Sequence, residues 1–139
     1  SFFGFNEAVK THCGIEIDRI EKSESFASEV LGFMRNIIEE RNQTDNELYI
    51  LTQPHYDNYL RDLWHNNQSR INNDSNRYNT GLIREDSKLS LKKKIELYTK
   101  FAKYLDGGCV FSPGLINLSI KEQISDIIDS KINAFKLEM

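Results

Sequence analysis

The sequence predicts an α/β fold in which helices pack on a short sheet, and three observations carry that expectation. Apolar residues recur at helical spacing in three long segments. Two short stretches rich in strand formers each stop at a proline or a Pro-Gly pair, and each follows a helical segment. Helix, strand, loop and helix in that order are expected where helices cover a sheet.

From Ser25 to Arg41, Phe26, Val30, Phe33, Met34, Ile37 and Ile38 fall on one helical face, while Glu29, Arg35, Asn36, Glu39 and Glu40 lie mostly opposite. Glu47-Leu48-Tyr49-Ile50-Leu51-Thr52 then reads as a buried strand that stops at Pro54. Tyr56, Tyr59, Leu60, Leu63 and Trp64 predict a shorter helix between His55 and Ile71. The stretch 66–79 holds Asn66, Asn67, Asn72, Asn73, Asn76 and Asn79 together with Asp74 and Ser75; these residues favour turns and bury little, so an exposed loop is expected. From Ser90 to Leu105 the stripe Leu91, Ile95, Tyr98, Ala102, Leu105 predicts a second helix. Its wet face carries Lys92, Lys93 and Lys94, and Gly107 is its left-handed terminator. Gly108-Cys109-Val110-Phe111 is the second strand, ending before Pro113-Gly114. Ser119-Ile120-Lys121-Glu122 has the form of a capping box and opens a third helix, with Ile120, Ile124, Ile127, Ile128, Ile132 and Phe135 as its apolar face.

A chain of 139 residues is expected to form a single domain over 1–139, or to be a fragment of a larger one. Its 39% apolar content, with eight Phe, six Tyr and one Trp, supplies enough surface for a packed core. Ser1 leads directly into Phe2-Phe3-Gly4-Phe5, an opening expected of an interior stretch. Eighteen basic against 21 acidic residues give a formal charge of −3, which disfavours nucleic-acid partners. No apolar run reaches the roughly 20 residues that cross a bilayer, and no signal-peptide pattern is present, so a cytoplasmic chain without a membrane partner is expected. Cys13 and Cys109 stand far apart without a Cys-x-x-Cys pair, which predicts free thiols and no metal site.

Motif chemistry adds little. His55 and His65 lie near Asp57 and Asp62, yet their spacing does not share one helical face; hydrogen-bonding histidines explain them better than a hydrolase site. His12 beside Cys13 lacks the orienting third group of a nucleophile and base pair. The carboxylates Glu16, Asp18, Glu21 and Glu24, interleaved with Lys and Arg, read as a solvated face. No phosphate loop, dinucleotide motif or nucleophile elbow occurs.

As an ordered series, the segments resemble those in the second half of the anaerobic (class III) ribonucleoside-triphosphate reductases, the glycyl-radical enzymes that make deoxynucleotides. Phe3-Gly4-Phe5-Asn6-Glu7-Ala8-Val9, followed by Gly14, is similar to the family's Gly-hydrophobic-Asn-Glu-Ala stretch and its trailing Thr-Gly. The helix through Phe26-Ala27-Ser28-Glu29-Val30-Leu31-Gly32-Phe33-Met34-Arg35 resembles the one that comes next. Thr52-Gln53-Pro54 and Tyr59-Leu60-Arg61 sit where the family has Thr-Pro-Ala-Glu and Ser-Tyr-Arg. Tyr78-Asn79-Thr80 resembles Tyr-Thr-Asn-Ser, and Tyr104-Leu105-Asp106-Gly107-Gly108-Cys109 resembles the late Gly-Gly strand.

The resemblance implies a partial arc of the family's ten-stranded α/β barrel, with Asn79 and Thr80 as substrate-binding residues for a nucleoside triphosphate. It also implies radical chemistry in which a glycyl radical, installed by an S-adenosylmethionine-dependent activase, oxidises a loop cysteine. The departures set its limits. The family's C-terminal glycyl-radical sequence and its paired-Cys zinc module are absent, neither Cys13 nor Cys109 matches the loop cysteine, and the glutamate of Thr-Pro-Ala-Glu is replaced within Gln53 to Tyr56. The expected function is therefore a scaffold portion of such an oxidoreductase, inactive in isolation, binding no cofactor itself and partnered by the remainder of the reductase or by further copies. The alternative is a small non-catalytic interaction module that self-associates or binds another protein through a sheet edge or helix face.

Overall fold

Two glycines with left-handed backbones, Gly4 (φ 71°) and Gly14 (φ 77°), bracket the first helix, α1 (Phe5–Cys13). A residue with a side chain is strained in that region, so glycine at both ends lets the chain turn sharply in and out of a short helix. The computed structural model describes residues 2, 4–53, 81–84, 87–114 and 119–136. The turn after α1 is pinned from within: Ile17 N donates to the buried Asn6 Oδ1 at 3.1 Å, and the buried Ser23 hydroxyl lies 2.9 Å from Glu16 O and 2.7 Å from Ile20 O. These bonds set α1 against α2 (Glu21–Thr44), which is longer at both ends than the Ser25 to Arg41 periodicity predicts.

Helix α3 (Leu91–Ala102) starts at Ser90, whose hydroxyl accepts from Lys93 N, and packs on both α2 and the last helix. That helix, α4 (Ile120–Asp129), begins with the full capping box that the sequence predicts: Ser119 accepts from Glu122 N, and the Glu122 carboxylate accepts from Ser119 N. Bonding to Ser119 holds the Glu122 carboxyl below its usual range. One hydrophobic cluster joins the elements, with Val9, Ile17, Ala27, Leu31, Leu51, Leu97, Phe101, Phe111 and Ile127 in it. Only part of the expected α4 face is inside, since Ile127 is buried while Ile120 and Ile128 are exposed.

The predicted α/β class is corrected. The described residues form four helices and no sheet, and their only β pairing is an isolated parallel bridge between Phe111 and Phe135. The expected arc of a ten-stranded barrel falls with it. The two predicted strands do meet, but side chains and glycines intercept the ladder. The Asp106 carboxylate accepts from Leu51 N at 3.0 Å, and Gly108 turns the backbone at φ 88°. Among the described residues, the only backbone-to-backbone bonds that join the two segments are Gly107 N to Leu51 O (2.9 Å) and Gln53 N to Gly108 O (3.2 Å). Propensity had supplied extended backbone; a sheet needs repeated pairing, which these partners prevent. The helix expected between His55 and Ile71 and the Asn-rich loop at 66–79 lie outside the described residues.

Candidate functional site

The segment 48–53 and the segment 107–114 come together on the inner side of α3. Gly107 does not end the helix as a left-handed residue; it lies where a β-carbon would fall 2.7 Å from Thr52 Cβ, 3.1 Å from Ile50 Cδ1 and 3.1 Å from Leu51 O. Glycine is required there by close approach. The Thr52 hydroxyl is 3.1 Å from Gly107 O and 3.0 Å from Gly108 O, and the Gln53 side chain is buried beside this contact.

Helix α3 runs over segment 109–113 and spends its polar side chains on that segment's carbonyls. Tyr98 OH donates to Cys109 O at 2.8 Å, and one turn earlier the Lys94 ammonium donates to Pro113 O. The Cys109 thiol in turn lies 3.1 Å from Tyr98 OH. Burial pushes the Tyr98 hydroxyl well above its usual range, and the adjoining thiol adds to this. Burial likewise raises the Cys109 thiol, and its hydrogen bond with Tyr98 offsets part of the effect. A thiol so placed stays protonated and acts as a small packing group. Lys94 is the surprise: it is 1% exposed although the lysine run reads as a wet face. Its position in the series Leu91, Lys94, Tyr98, Phe101 could have shown this, because those spacings keep it on the buried stripe.

A second polar cluster ties the α1–α2 turn to the segment 84–87. Glu16 accepts from Lys10 Nζ at 3.0 Å and Arg84 Nη1 at 3.1 Å, and Asp18 is hydrogen-bonded to the Ser87 hydroxyl. Bonding to Lys10 is the main reason that the Glu16 carboxyl lies below its ordinary range. Glu16 and Asp18 are thus structural ties, where a solvated face was expected.

Asn79 and Thr80, the substrate-binding residues implied by the resemblance, lie outside the described residues, as do His55 and His65. The His12 ring is stacked on Phe26 at 4.1 Å with planes 10° apart, which gives it a packing role beside the half-buried Cys13. Among the described residues, no group of three or more His, Cys, Asp and Glu is arranged to hold a metal ion. No described helix is long and apolar enough to cross a membrane. Against this geometry stand the comparisons with known proteins. No family model and no curated protein matches the chain.

Proposed function

We propose that the chain is a portion of an anaerobic ribonucleoside-triphosphate reductase, or of a divergent relative, which contributes scaffold and part of a nucleotide pocket without being catalytically complete. The observation that supports this reading is the contact of Thr52-Gln53 with Gly107-Gly108. These stretches belong to two separate segments of the resemblance, and they meet through backbone hydrogen bonds and a glycine that a side chain would displace. The reading does not retain the barrel arc. Asn6 and Gly14, from the first segment of the resemblance, serve the same scaffold by fixing the ends of α1 and the turn beyond it.

The chain's own cysteines do not fit the radical step. Cys109 is buried against Tyr98 with its thiol pushed up, and Cys13 sits at the end of α1 with no base oriented toward it among the described residues. The glycyl radical and the thiyl chemistry therefore belong to other polypeptide, and so does contact with the radical activase. The role left for this chain is to position a nucleoside triphosphate, with Asn79 and Thr80 as the binding residues, in the reducing cytoplasm that keeps both thiols free.

Calorimetric titration of the chain with nucleoside triphosphates tests the reading. Saturable binding is expected, weakened about tenfold by Asn79→Ala or Thr80→Ala, which is the effect of losing one hydrogen bond. Absence of saturation would overturn the pocket role. Deoxynucleotide formed by this chain alone with an activase and formate would overturn the claim that it is incomplete.

A further inference from the structure

The extended segment 48–53 has one satisfied edge and one open edge. Tyr49 N and O bond to the Asn42 side chain at 2.6 and 2.8 Å, Leu51 N and O bond to Asp106 and Gly107, and Gln53 N bonds to Gly108. In extended backbone the amide and carbonyl of alternate residues point to opposite sides. The groups of Tyr49, Leu51 and Gln53 therefore all face inward, and those of Leu48, Ile50 and Thr52 face the other way. Among the described residues no hydrogen bond reaches the backbone of Leu48, Ile50 or Thr52. The side chains of Leu48 and Ile50 are open too, 83% and 51% exposed, while Thr52 is half-buried with its hydroxyl turned to Gly107 O and Gly108 O.

A row of free amides and carbonyls two residues apart is recognised by another extended main chain. We propose that this edge pairs with the same edge of a second copy, antiparallel about Ile50. In that register Ile50 exchanges N–H to O bonds with Ile50 of the second copy, and Leu48 does so with Thr52. Every open group of the three residues is then used. Sliding the pair by one position toward the C-terminus would set Leu48 against Pro54, which has no N–H to give. Sliding it the other way would set Thr52 against Asn46, which lies in the bend after α2. The chosen register also places Ile50 against Ile50 and sets Glu47 opposite Gln53, so no like charges face each other. The inference is independent of the reductase reading, because it concerns only the outward edge and needs no nucleotide.

Sedimentation equilibrium over a concentration series tests it with the intact chain. The mass should rise from 16.2 kDa toward twice that value as concentration increases. Ile50→Lys and Ile50→Glu should each hold the chain at monomer mass, because like charges would meet on the two-fold axis. An equimolar mixture of the two variants should regain the dimer, which also shows that both variants fold. Wild-type chain that stays monomeric throughout would overturn the proposal. So would a dimer that survives Ile50→Lys, or variants whose mixture fails to associate.

Discussion

Gly107 and Thr52 stand so close that a β-carbon on Gly107 would lie 2.7 Å from Thr52 Cβ, although the residues are far apart in sequence. The contact closes the junction between the two extended segments, with the Leu51 carbonyl 3.1 Å from the same point. Backbone cannot move aside as a side-chain tip can. Gly107→Ala should therefore destabilise the chain by about 1–3 kcal/mol, the usual range for overpacking. Urea unfolding followed by circular dichroism should show the midpoint falling. An unchanged midpoint would mean that the segments separate at no cost.

Glu16 predicts an acid-sensitive tie. Its carboxyl lies below the ordinary value of 4.5 when folded, chiefly through the bond from Lys10, with Arg84 adding to the effect. Because the folded value is the lower one, the stabilisation is fully present above the unfolded carboxyl range and is lost as pH falls through the folded value. Glu16→Gln should cost on the order of 1–2 kcal/mol at neutral pH, between the values for exposed and buried pairs. It should also flatten the loss of stability between wild type and variant on the acid side. Thermal melts of both proteins from pH 7 to pH 3 would show the two curves converging; parallel curves would contradict the role.

The two thiols should differ in reactivity. Cys13 is half-buried at the end of α1, whereas Cys109 is buried and its thiol is raised by desolvation. Thiolate attack on a disulfide reagent at neutral pH should consume one thiol readily and the other only as fast as the chain opens. Cys13→Ser should remove the fast phase, and added denaturant should expose the slow one. A fast phase that persists in Cys13→Ser would place Cys109 at the surface.

Sequence periodicity located α2 and α3, and the Ser119 capping box is present as a local pattern. The expected face of α2 is corrected: Ser23, Ala27 and Leu31, outside the predicted stripe, are the buried residues, while Phe33 and Ile37 of that stripe are exposed, because packing against α1 and α3 decides which side of the helix turns inward. Helix α1 escaped such a reading because its caps are glycine conformations and its key polar residue, Asn6, bonds to a backbone amide eleven residues away. Of the candidate site, Thr52, Gln53, Gly107 and Gly108 were marked out by resemblance, but nothing local foretold that they touch. Lys94 looked solvated from its neighbours, and only its register on the α3 stripe hinted otherwise.

The sequence by itself determined that helices form around 25–41, 90–102 and 120–129 and that the last opens with a capping box, because these follow from side-chain spacing and capping groups. Tertiary structure alone decided that the extended stretches stop short of a sheet. Their inward hydrogen bonds go to Asn42, Asp106 and a left-handed Gly108, partners supplied from other parts of the chain. A strand becomes a sheet only when a neighbouring backbone continues the pairing, and that neighbour is a fact of three dimensions.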